Sequence, residues 1–230
     1  MLYIIGIGLN ERGISKEGLL AIDKCAKVYL EGYTVDFPYD IKELRLGKKK
    51  PVLLKREDVE SDKLLKEARG RKIALLVYGS PLFATTHMSL ILDAKKEKVK
   101  TKIIYSASIF DAVAETGLQL YKFGKITSMP DSDKGESNFS KYIKENQSIK
   151  AHSLILVDID MDFKKALNKL EKPDVKLDKI VVCSQMGNDE SQIFYGKIND
   201  LSEKEVNAPF CFIIPSELHF MEKEGIERFG

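Results

Sequence analysis

The sequence predicts an α/β protein made of two α/β domains, and three observations support this fold class. Short apolar runs alternate with helical segments through the first half of the chain, which is typical of a mostly parallel sheet with helices on both faces. After residue 120 this alternation gives way to strands with mixed faces. Hydrophobic residues make up 43% of the chain, enough for a folded core. We therefore expect a parallel domain over residues 1–120 and a mixed-sheet domain over residues 121–230.

Charge and composition argue against several classes of protein. The 230 residues include 37 basic and 35 acidic ones, and a net charge of +2 gives no reason to expect a nucleic-acid partner. No apolar run approaches membrane-spanning length, and the opening run at residues 2–7 lacks the features of a signal peptide. The three cysteines form no C-x-x-C pair and lie beside apolar residues, which favours buried reduced thiols in a cytoplasmic protein.

Five apolar runs in the first domain predict the strands of its sheet, and helices are expected between them. The predicted strands are residues 2–7, 28–30, 52–54, 73–77 and 103–105. Ser15 is expected to cap a helix over residues 16–26, whose apolar surface includes Leu19, Leu20, Ile22 and Cys25. Further helices are expected over residues 61–69, after Thr85 or Thr86, and from Ser108 to residue 114.

The second domain is expected to contain a mixed sheet and three helices. Its predicted strands are residues 125–129, 153–157, 180–183, 193–195 and 210–214. A polar loop is expected over residues 131–138, and the helices over residues 142–147, 163–170 and 217–228. Pro173 is expected to end the second of these helices.

The stretch from Ile73 to His87, IALLVYGSPLFATTH, organises the first domain. A buried strand ends at the turn Gly79-Ser80-Pro81, and a capped helix follows with an apolar face predicted from Met88, Ile91 and Leu92. Ligands of open α/β sheets bind at the carboxyl ends of strands, so this turn is a candidate site. An ordinary connection between a strand and a helix is the alternative interpretation.

Several catalytic and binding motifs are excluded by single residues. Gly6 and Gly8 begin a dinucleotide-binding fingerprint, but Glu11 stands where its third glycine is needed. Gly8 and Gly13 have the spacing of a P-loop, but Ile14 stands in place of the lysine. There is no H-E-x-x-H and no G-x-S-x-G sequence, so neither a metal site nor a serine nucleophile is predicted.

The titratable residues leave two interpretations open. His87 begins a helix beside the candidate turn. A structural hydrogen bond is expected for it, and a polar role toward a ligand is the alternative. The sequence gives weaker grounds for a functional role of His152 and His219. Asp158 and Asp160 follow a strand and could act as acid or base, although capping is the more common role of such carboxylates.

Five short sequence segments, in order along the chain, resemble segments of the diphthine synthase family. They are residues 3–9 (YIIGIGL), 55–59 (KREDV), 79–87 (GSPLFATTH), 108–109 (SI) and 116–125 (TGLQLYKFGK). The resemblance covers nearly the whole chain and is most specific within residues 79–125. It implies the tetrapyrrole-methylase-like class of S-adenosylmethionine-dependent methyltransferases, with the donor in a cleft between the two domains.

The resemblance also implies an activity and its partners. Members of the family methylate the amino nitrogen of the modified histidine of elongation factor 2, the diphthamide precursor, and the short, lysine-rich chain is most similar to archaeal members. It implies a homodimer with S-adenosylmethionine as methyl donor. The residues themselves predict a cytoplasmic protein without a metal and without a nucleic-acid or membrane partner. The alternatives are methylation of a small molecule such as a tetrapyrrole, a non-catalytic donor-binding module, or a structural partner of the translation factor.

Eight positions match donor-binding positions of the family. They are Leu9, Ser80, Phe83, Ser108, Ile109, Val157, Met186 and Phe210. The family usually has Asp where Ser80 stands and often has His where Phe210 stands. Because the donor is already activated, we expect catalysis by positioning, with no catalytic side-chain base.

Overall fold

The computed structural model describes residues 1–131, 139–171, 175 and 177–230, and it divides the chain into two compact units, Met1–Ile109 and Phe110–Gly230. The sequence placed this division near residue 120. The residues after Ile109 group with the second unit, where Gly117 packs against the backbone of Gly225. Most of the predicted polar loop at 131–138 and the helix end at Pro173 lie outside the described residues.

The first unit contains a five-stranded sheet in the order β3-β2-β4-β1-β5, with every neighbouring pair parallel. The strands are β1 (Leu2–Gly6), β2 (Lys27–Glu31), β3 (Val52–Leu54), β4 (Ile73–Val77) and β5 (Thr101–Ile104). All five correspond to predicted runs, and the predicted parallel sheet is confirmed. The central strands β1 and β4 are fully buried, as expected for a parallel sheet covered on both faces.

Helices cover both faces of this sheet, as predicted. They are α1 (Lys16–Asp23), α2 (Arg56–Glu60), α3 (Lys63–Gly70) and α4 (His87–Lys96). Ala21 and Ile22 of α1 pack with Ile5 and Leu76 on one face. The apolar residues of α2, α3 and α4 pack on the opposite face with the other side chains of the strands.

The buried face of α4 agrees with the prediction at Ile91, which packs against the core, and differs from it at the other two predicted positions. Met88 and Leu92 are 51% and 52% exposed, and the buried residues of the helix are His87, Leu90 and Ala94. Residues three and four positions apart share a helix face, so burial of His87 fixes which positions follow it inward. The prediction from apolar residues was therefore correct for one position of this face and wrong for two.

The helix caps of the first unit were predicted with mixed success. The Ser15 hydroxyl accepts a hydrogen bond from the Gly18 amide at 3.0 Å, which confirms the predicted cap of α1. Leu20 on this helix is 52% exposed, contrary to its predicted place on the apolar surface. Thr86 precedes α4 without a capping bond from its side chain, while the Thr85 hydroxyl donates to the Pro81 carbonyl at 3.0 Å. The Thr85 side chain therefore stabilises the turn before α4 and does not cap the helix.

The second unit contains a five-stranded sheet in the order β6-β7-β10-β8-β9. The strands are β6 (Thr127–Met129), β7 (Ser153–Val157), β8 (Ile180–Ser184), β9 (Gln192–Gly196) and β10 (Phe210–Ile214). β6 and β7 are parallel, and the remaining pairs are antiparallel, so the predicted mixed sheet is confirmed.

Among the described residues, five α-helices accompany this second sheet. They are α5 (Ile109–Ala112), which starts at the last residue of the first unit, α6 (Phe139–Ser148), α7 (Phe163–Glu171), α8 (Ile198–Leu201) and α9 (Phe220–Glu227). Phe163 and Leu167 of α7 pack with Phe212 of the sheet in one apolar core. None of the helices in the described parts of the chain is long and apolar enough to cross a bilayer.

The three cysteines are free and buried, as predicted. Cys25 follows α1 in the first unit. Cys183 of β8 lies directly opposite Cys211 of β10 in the second sheet. Burial raises the pKa of the Cys25 thiol, and the contact with Cys211 together with burial raises that of Cys183.

Candidate functional site

The connections after β1 and β4 leave the sheet toward opposite faces. β1 and β4 are hydrogen-bonded neighbours, and α1 and α4 follow them along the chain. α1 packs on the face of Ile5 and Leu76, and α4 packs on the face of Ile4 and Leu75. Such a divergence is a topological switch point, which opens a crevice at the carboxyl ends of the strands.

The two turns at this point are joined through their backbones. The Gly8 amide donates to the Gly79 carbonyl at 3.3 Å, and the Gly79 amide donates to the Gly8 carbonyl at 2.9 Å. Gly79 has φ +67°, which residues with a side chain adopt only with strain. A Cβ added at Gly6 would lie 2.5 Å from the Gly79 carbonyl oxygen. The close approach of these turns therefore depends on glycine at both positions.

A third turn, after β5, meets the other two. The Ser106 hydroxyl donates to the Gly13 carbonyl at 2.9 Å. The Ala107 carbonyl oxygen and the Ser108 Cα each lie 3.8 Å from where a Cβ of Gly79 would stand. The turns that follow β1, β4 and β5 thus converge at one edge of the sheet.

Five of the eight sequence-predicted positions lie in these turns. Leu9 follows β1 and is buried, and its carbonyl accepts a hydrogen bond from the Tyr78 hydroxyl at 3.0 Å. Ser80 and Phe83 follow β4, and the Phe83 amide donates to the Ser80 carbonyl at 3.2 Å. The other two positions, Ser108 and Ile109, follow β5.

The remaining three positions share an edge of the second sheet. Val157 ends β7, Phe210 begins β10, and Met186 follows the end of β8. The antiparallel register pairs Phe210 with Ser184 and Cys211 with Leu156, so the three positions lie at the same edge. The five positions after β1, β4 and β5 thus lie within the first unit, and these three lie within the second.

The Phe210 side chain belongs to the core of the second unit. Its ring lies 5.6 Å from the Phe163 ring and 5.8 Å from the Phe212 ring, centroid to centroid, in edge-to-face contacts. Only 8% of Phe210 is exposed. The aromatic residue therefore packs at a position where the family often has a polar one.

An aromatic group of the first unit includes Tyr78, whose hydroxyl donates to the Leu9 carbonyl. The Phe37 ring stands edge-on to Tyr39 and to Tyr78, with centroid separations of 5.6 and 5.5 Å. The Tyr39 hydroxyl is buried, and no hydrogen-bond partner for it occurs in the described part of the chain. Burial raises the pKa of both tyrosines above the ordinary value, so both are neutral hydrogen-bonding groups at physiological pH.

His87 and Glu31 form a buried pair beside the turn after β4. Both residues are 1% exposed. His87 Nδ1 lies 3.1 Å from the Pro81 carbonyl oxygen, which can only accept, so this nitrogen carries a proton and donates it. His87 Nε2 lies 2.8 Å from Glu31 Oε2, although the ring N–H is not well aligned with this oxygen, and the contact is an ion pair without good hydrogen-bond geometry.

The charge of His87 follows from this environment. Burial alone lowers the pKa of the imidazole, but Glu31 and the Pro81 carbonyl outweigh it and raise the pKa above the ordinary value. The structural hydrogen bond expected for His87 is present. Glu31 was not predicted from the sequence, although an acidic residue directly after the buried run at residues 28–30 was a visible signal.

A second buried histidine–glutamate pair lies in the second unit. His152 Nε2 lies 3.0 Å from Glu222 Oε1, and His152 Nδ1 accepts a hydrogen bond from the Ser216 amide at 2.9 Å. Because Nδ1 accepts, it carries no proton, and the imidazole is neutral with its proton on Nε2. Burial lowers the pKa of His152, in agreement with this assignment.

Glu222 connects several segments of the second unit. Its carboxylate accepts hydrogen bonds from the Gln119 amide at 3.0 Å and the His219 amide at 2.8 Å, and it pairs with the Lys122 ammonium. Burial would raise its pKa, but Lys122 and these amides outweigh burial and bring the pKa to about 2. Glu222 thereby holds the segment around residues 119–122 against the start of α9.

The acidic candidates after β7 stabilise a turn. Asp158 is exposed, and its carboxylate accepts hydrogen bonds from the amides of Asp131 and Ile159, each at 3.2 Å. Asp160 has φ +61°, a left-handed conformation that Asp tolerates better than most residues. The described residues include no group of three or more His, Cys, Asp or Glu placed to hold a metal ion.

Comparisons with known proteins give consistent results over the length of the chain. The family model of tetrapyrrole (corrin/porphyrin) methylases matches residues 1–202. Diphthine synthase of Methanocaldococcus jannaschii is 37% identical over 253 residues, which cover 99% of this chain and 98% of that protein. Diphthine methyl ester synthase of Schizosaccharomyces pombe is 32% identical over 100% of this chain and 94% of its own. A crystal structure of diphthine synthase matches with a TM-score of 0.91 and 33% identity, covering 100% of this chain and 95% of that one.

Proposed function

Because the chain belongs to the diphthine synthases, within the tetrapyrrole methylase family, we propose that it methylates the diphthamide precursor of elongation factor 2. The acceptor is the amino nitrogen of the modified histidine. The observation that carries the proposal is the convergence of three turns at the switch point, where the family-specific segments at residues 79–87 and 108–109 lie. Curated relatives named for this activity favour it over methylation of a small molecule or donor binding without transfer.

We propose S-adenosylmethionine as the methyl donor, since the residues at the converging turns fit it. This donor supplies an activated methyl group on a positively charged sulfur. Backbone at Gly79 faces the turn after β5 with no side chain between them, and Ser80 offers a neutral acceptor. A charged acceptor such as Asp would bind a cation more tightly by about 1 kcal/mol, so serine weakens binding without abolishing it.

The eight family positions are our proposed donor contacts. In the first unit these are Leu9, Ser80, Phe83, Ser108 and Ile109, and in the second Val157, Met186 and Phe210. At Phe210 the contact would come from the backbone, because the ring packs against Phe163 and Phe212.

The proposed chemistry needs alignment more than a catalytic side chain. Holding the attacking nitrogen close to the methyl group contributes about 7–11 kcal/mol in well-oriented reactions. The acceptor amine must be neutral to attack, and removal from water favours the neutral amine over the ammonium form. We therefore assign no general base.

We also propose that the protein works as a homodimer in the cytoplasm. In the described part of the second unit, four large apolar side chains are at least half exposed: Tyr121, Ile149, Phe220 and Met221. Their segments are connected by Glu217, which contacts Lys122 and Lys150, and by Glu222. Exposed apolar side chains of this size are typical of protein interfaces, which supports self-association as the proposed state.

Mass spectrometry of the acceptor tests the proposed function. Elongation factor 2 carrying the unmethylated precursor is incubated with the protein and S-adenosylmethionine. Successive methyl increments on the modified histidine peptide are expected, and their number counts the transfers. Donor binding without any increment would contradict this acceptor, and absence of both would contradict the methyltransferase itself.

The variant Ser80→Asp tests the proposed donor site. A carboxylate at this position is expected to tighten donor binding about fivefold, which corresponds to about 1 kcal/mol. Isothermal titration with S-adenosylmethionine measures the effect, and Ser89→Asp on the exposed side of α4 is the matched control. Equal affinity of Ser80→Asp and the wild type would remove Ser80 from the donor site.

A further inference from the structure

We infer that His87 and Glu31 are positioning residues for donor binding, because their buried pair fixes the turn that carries Ser80 and Phe83. The inference rests on the proposed function, since it concerns the same donor site. Neither residue is among the proposed donor contacts. They act through the Pro81 carbonyl, which lies between those two contacts along the chain.

The Pro81 carbonyl is the fixed point of the turn. It accepts one hydrogen bond from the Thr85 hydroxyl at 3.0 Å and faces His87 Nδ1 at 3.1 Å. A carbonyl oxygen has two lone pairs, so these two donors saturate it. Pro81 itself has no amide hydrogen and cannot hold the turn through its nitrogen.

The backbone around Pro81 needs this support. Gly79 has φ +67° and Ala84 has φ +54°, so left-handed residues precede and follow the proline. For alanine this conformation is unfavourable and persists where surrounding contacts impose it. The contacts of Thr85 and His87 with one carbonyl oxygen provide such a constraint between Pro81 and α4.

Glu31 fixes the orientation of the imidazole. Its Oε2 lies 2.8 Å from His87 Nε2, and its Oε1 accepts a hydrogen bond from the Thr34 hydroxyl at 2.6 Å. Glu31 ends β2, which is hydrogen-bonded to β4 inside the sheet. The ring is thus anchored to the sheet on one side and holds the turn on the other.

Two amide substitutions separate the two contacts of the ring. His87→Asn keeps an N–H donor near the place of Nδ1 and loses the contact with Glu31. His87→Gln places its donor near Nε2 and loses the bond to the Pro81 carbonyl. His152→Gln, in the buried pair of the second unit, is the matched control for loss of a buried histidine.

Titration calorimetry with S-adenosylhomocysteine measures donor-site affinity without any acceptor. His87→Gln is expected to weaken binding about tenfold and His87→Asn about threefold, while His152→Gln changes the affinity less than twofold. Circular dichroism establishes that each variant is folded at the temperature of the titration. Methylation of elongation factor 2 with varied donor is expected to show the same ranking in KM, with a smaller change in kcat.

Each outcome supports or overturns the inference. Wild-type affinity in folded His87→Gln, or equal weakening in His87→Gln and His152→Gln, would overturn it. If His87→Gln does not fold, Glu31→Gln, which keeps the shape and removes the charge, takes its place with an expected weakening of about fivefold, and unchanged affinity overturns the inference. If the wild type binds neither S-adenosylmethionine nor its demethylated product, the proposed function fails and the inference fails with it. Unchanged affinity of the variants beside an active wild type is a failure of the inference alone.

Discussion

The two buried histidine–glutamate pairs have the same composition but favour different protonation states of the imidazole. His87 Nδ1 faces the Pro81 carbonyl, whereas His152 Nδ1 faces the Ser216 amide. An acceptor at Nδ1 requires a proton there, and a donor forbids one. The backbone group at Nδ1 therefore allows His87 to carry a second proton, on Nε2 beside Glu31, and prevents His152 from carrying two.

The carboxylates of the two pairs also differ in the groups that balance their charge. Glu222 is balanced by the Lys122 ammonium and by two backbone amides, so it stays ionised beside a neutral histidine. Glu31 has the Thr34 hydroxyl and the His87 imidazole as partners. The first unit thus uses its histidine as the counter-charge, while the second unit uses a lysine.

Removal of the Glu222 carboxylate, in the second unit, is expected to have the largest effect on stability. Glu222→Ala leaves a partly buried ammonium and two amides without their acceptor, and we expect a loss of about 3–5 kcal/mol in the free energy of unfolding. Denaturant unfolding measures it, with Glu224→Ala on the exposed side of α9 as control. A loss no larger than that of the control would mean that Lys122 and the amides find other partners.

Removal of the Glu31 carboxylate, in the first unit, is expected to lower the free energy of unfolding by a smaller amount. In Glu31→Ala the imidazole can release its proton and become neutral, so we expect a loss of about 1–3 kcal/mol. Glu57→Ala on α2 is the exposed control, and the same unfolding experiment applies. A loss equal to that of Glu222→Ala would show that His87 cannot adapt and that the two pairs are energetically alike.

The pH dependence of stability is expected to have opposite sign for the two histidines. The pKa of His87 is raised on folding, so its contribution is complete below the unfolded value of about 6.5 and is lost as pH rises through the folded pKa. The pKa of His152 is lowered, so its contribution is present above about 6.5 and is lost as pH falls through the folded pKa. Each effect is at most about 1.4 kcal/mol for each pH unit.

The opposite pH dependence is tested by measuring the free energy of unfolding across the neutral pH range in the wild type, His87→Asn and His152→Gln. Five other charged residues line the cavity beside His87, and His87→Asn keeps all of them, so a changed pH slope is due to the imidazole. They are Glu60, Asp62, Asp93, Lys96 and Glu97. The same pH slope in both variants would contradict the assigned protonation states.

The fold could be predicted from the sequence because its signals are local. The run Ile73–Val77 indicates a buried strand by itself, and Ser15 indicates a cap through the amide of Gly18 three residues later. The buried face of α4 could not be predicted in this way. His87 is buried because it pairs with Glu31, which lies at the end of β2 and far away along the chain.

The candidate site was predicted through family resemblance more than through chemistry. Leu9, Ser80 and Ser108 carry no catalytic signature of their own, and their convergence depends on the order of β1, β4 and β5 in the sheet. Glu222 was missed for a similar reason, since its partners Gln119 and His152 lie far away along the chain. Such contacts are visible only once the topology is known.

The three buried thiols make the chain its own reporter of local opening. Cys25 lies in one unit, and Cys183 and Cys211 lie in the other. An alkylating reagent reacts with a thiolate, so burial protects all three cysteines until their unit opens, and raised pKa values further protect Cys25 and Cys183. Peptide-resolved labelling rates then give a separate opening free energy for each unit in the unmodified protein, with no engineered probe.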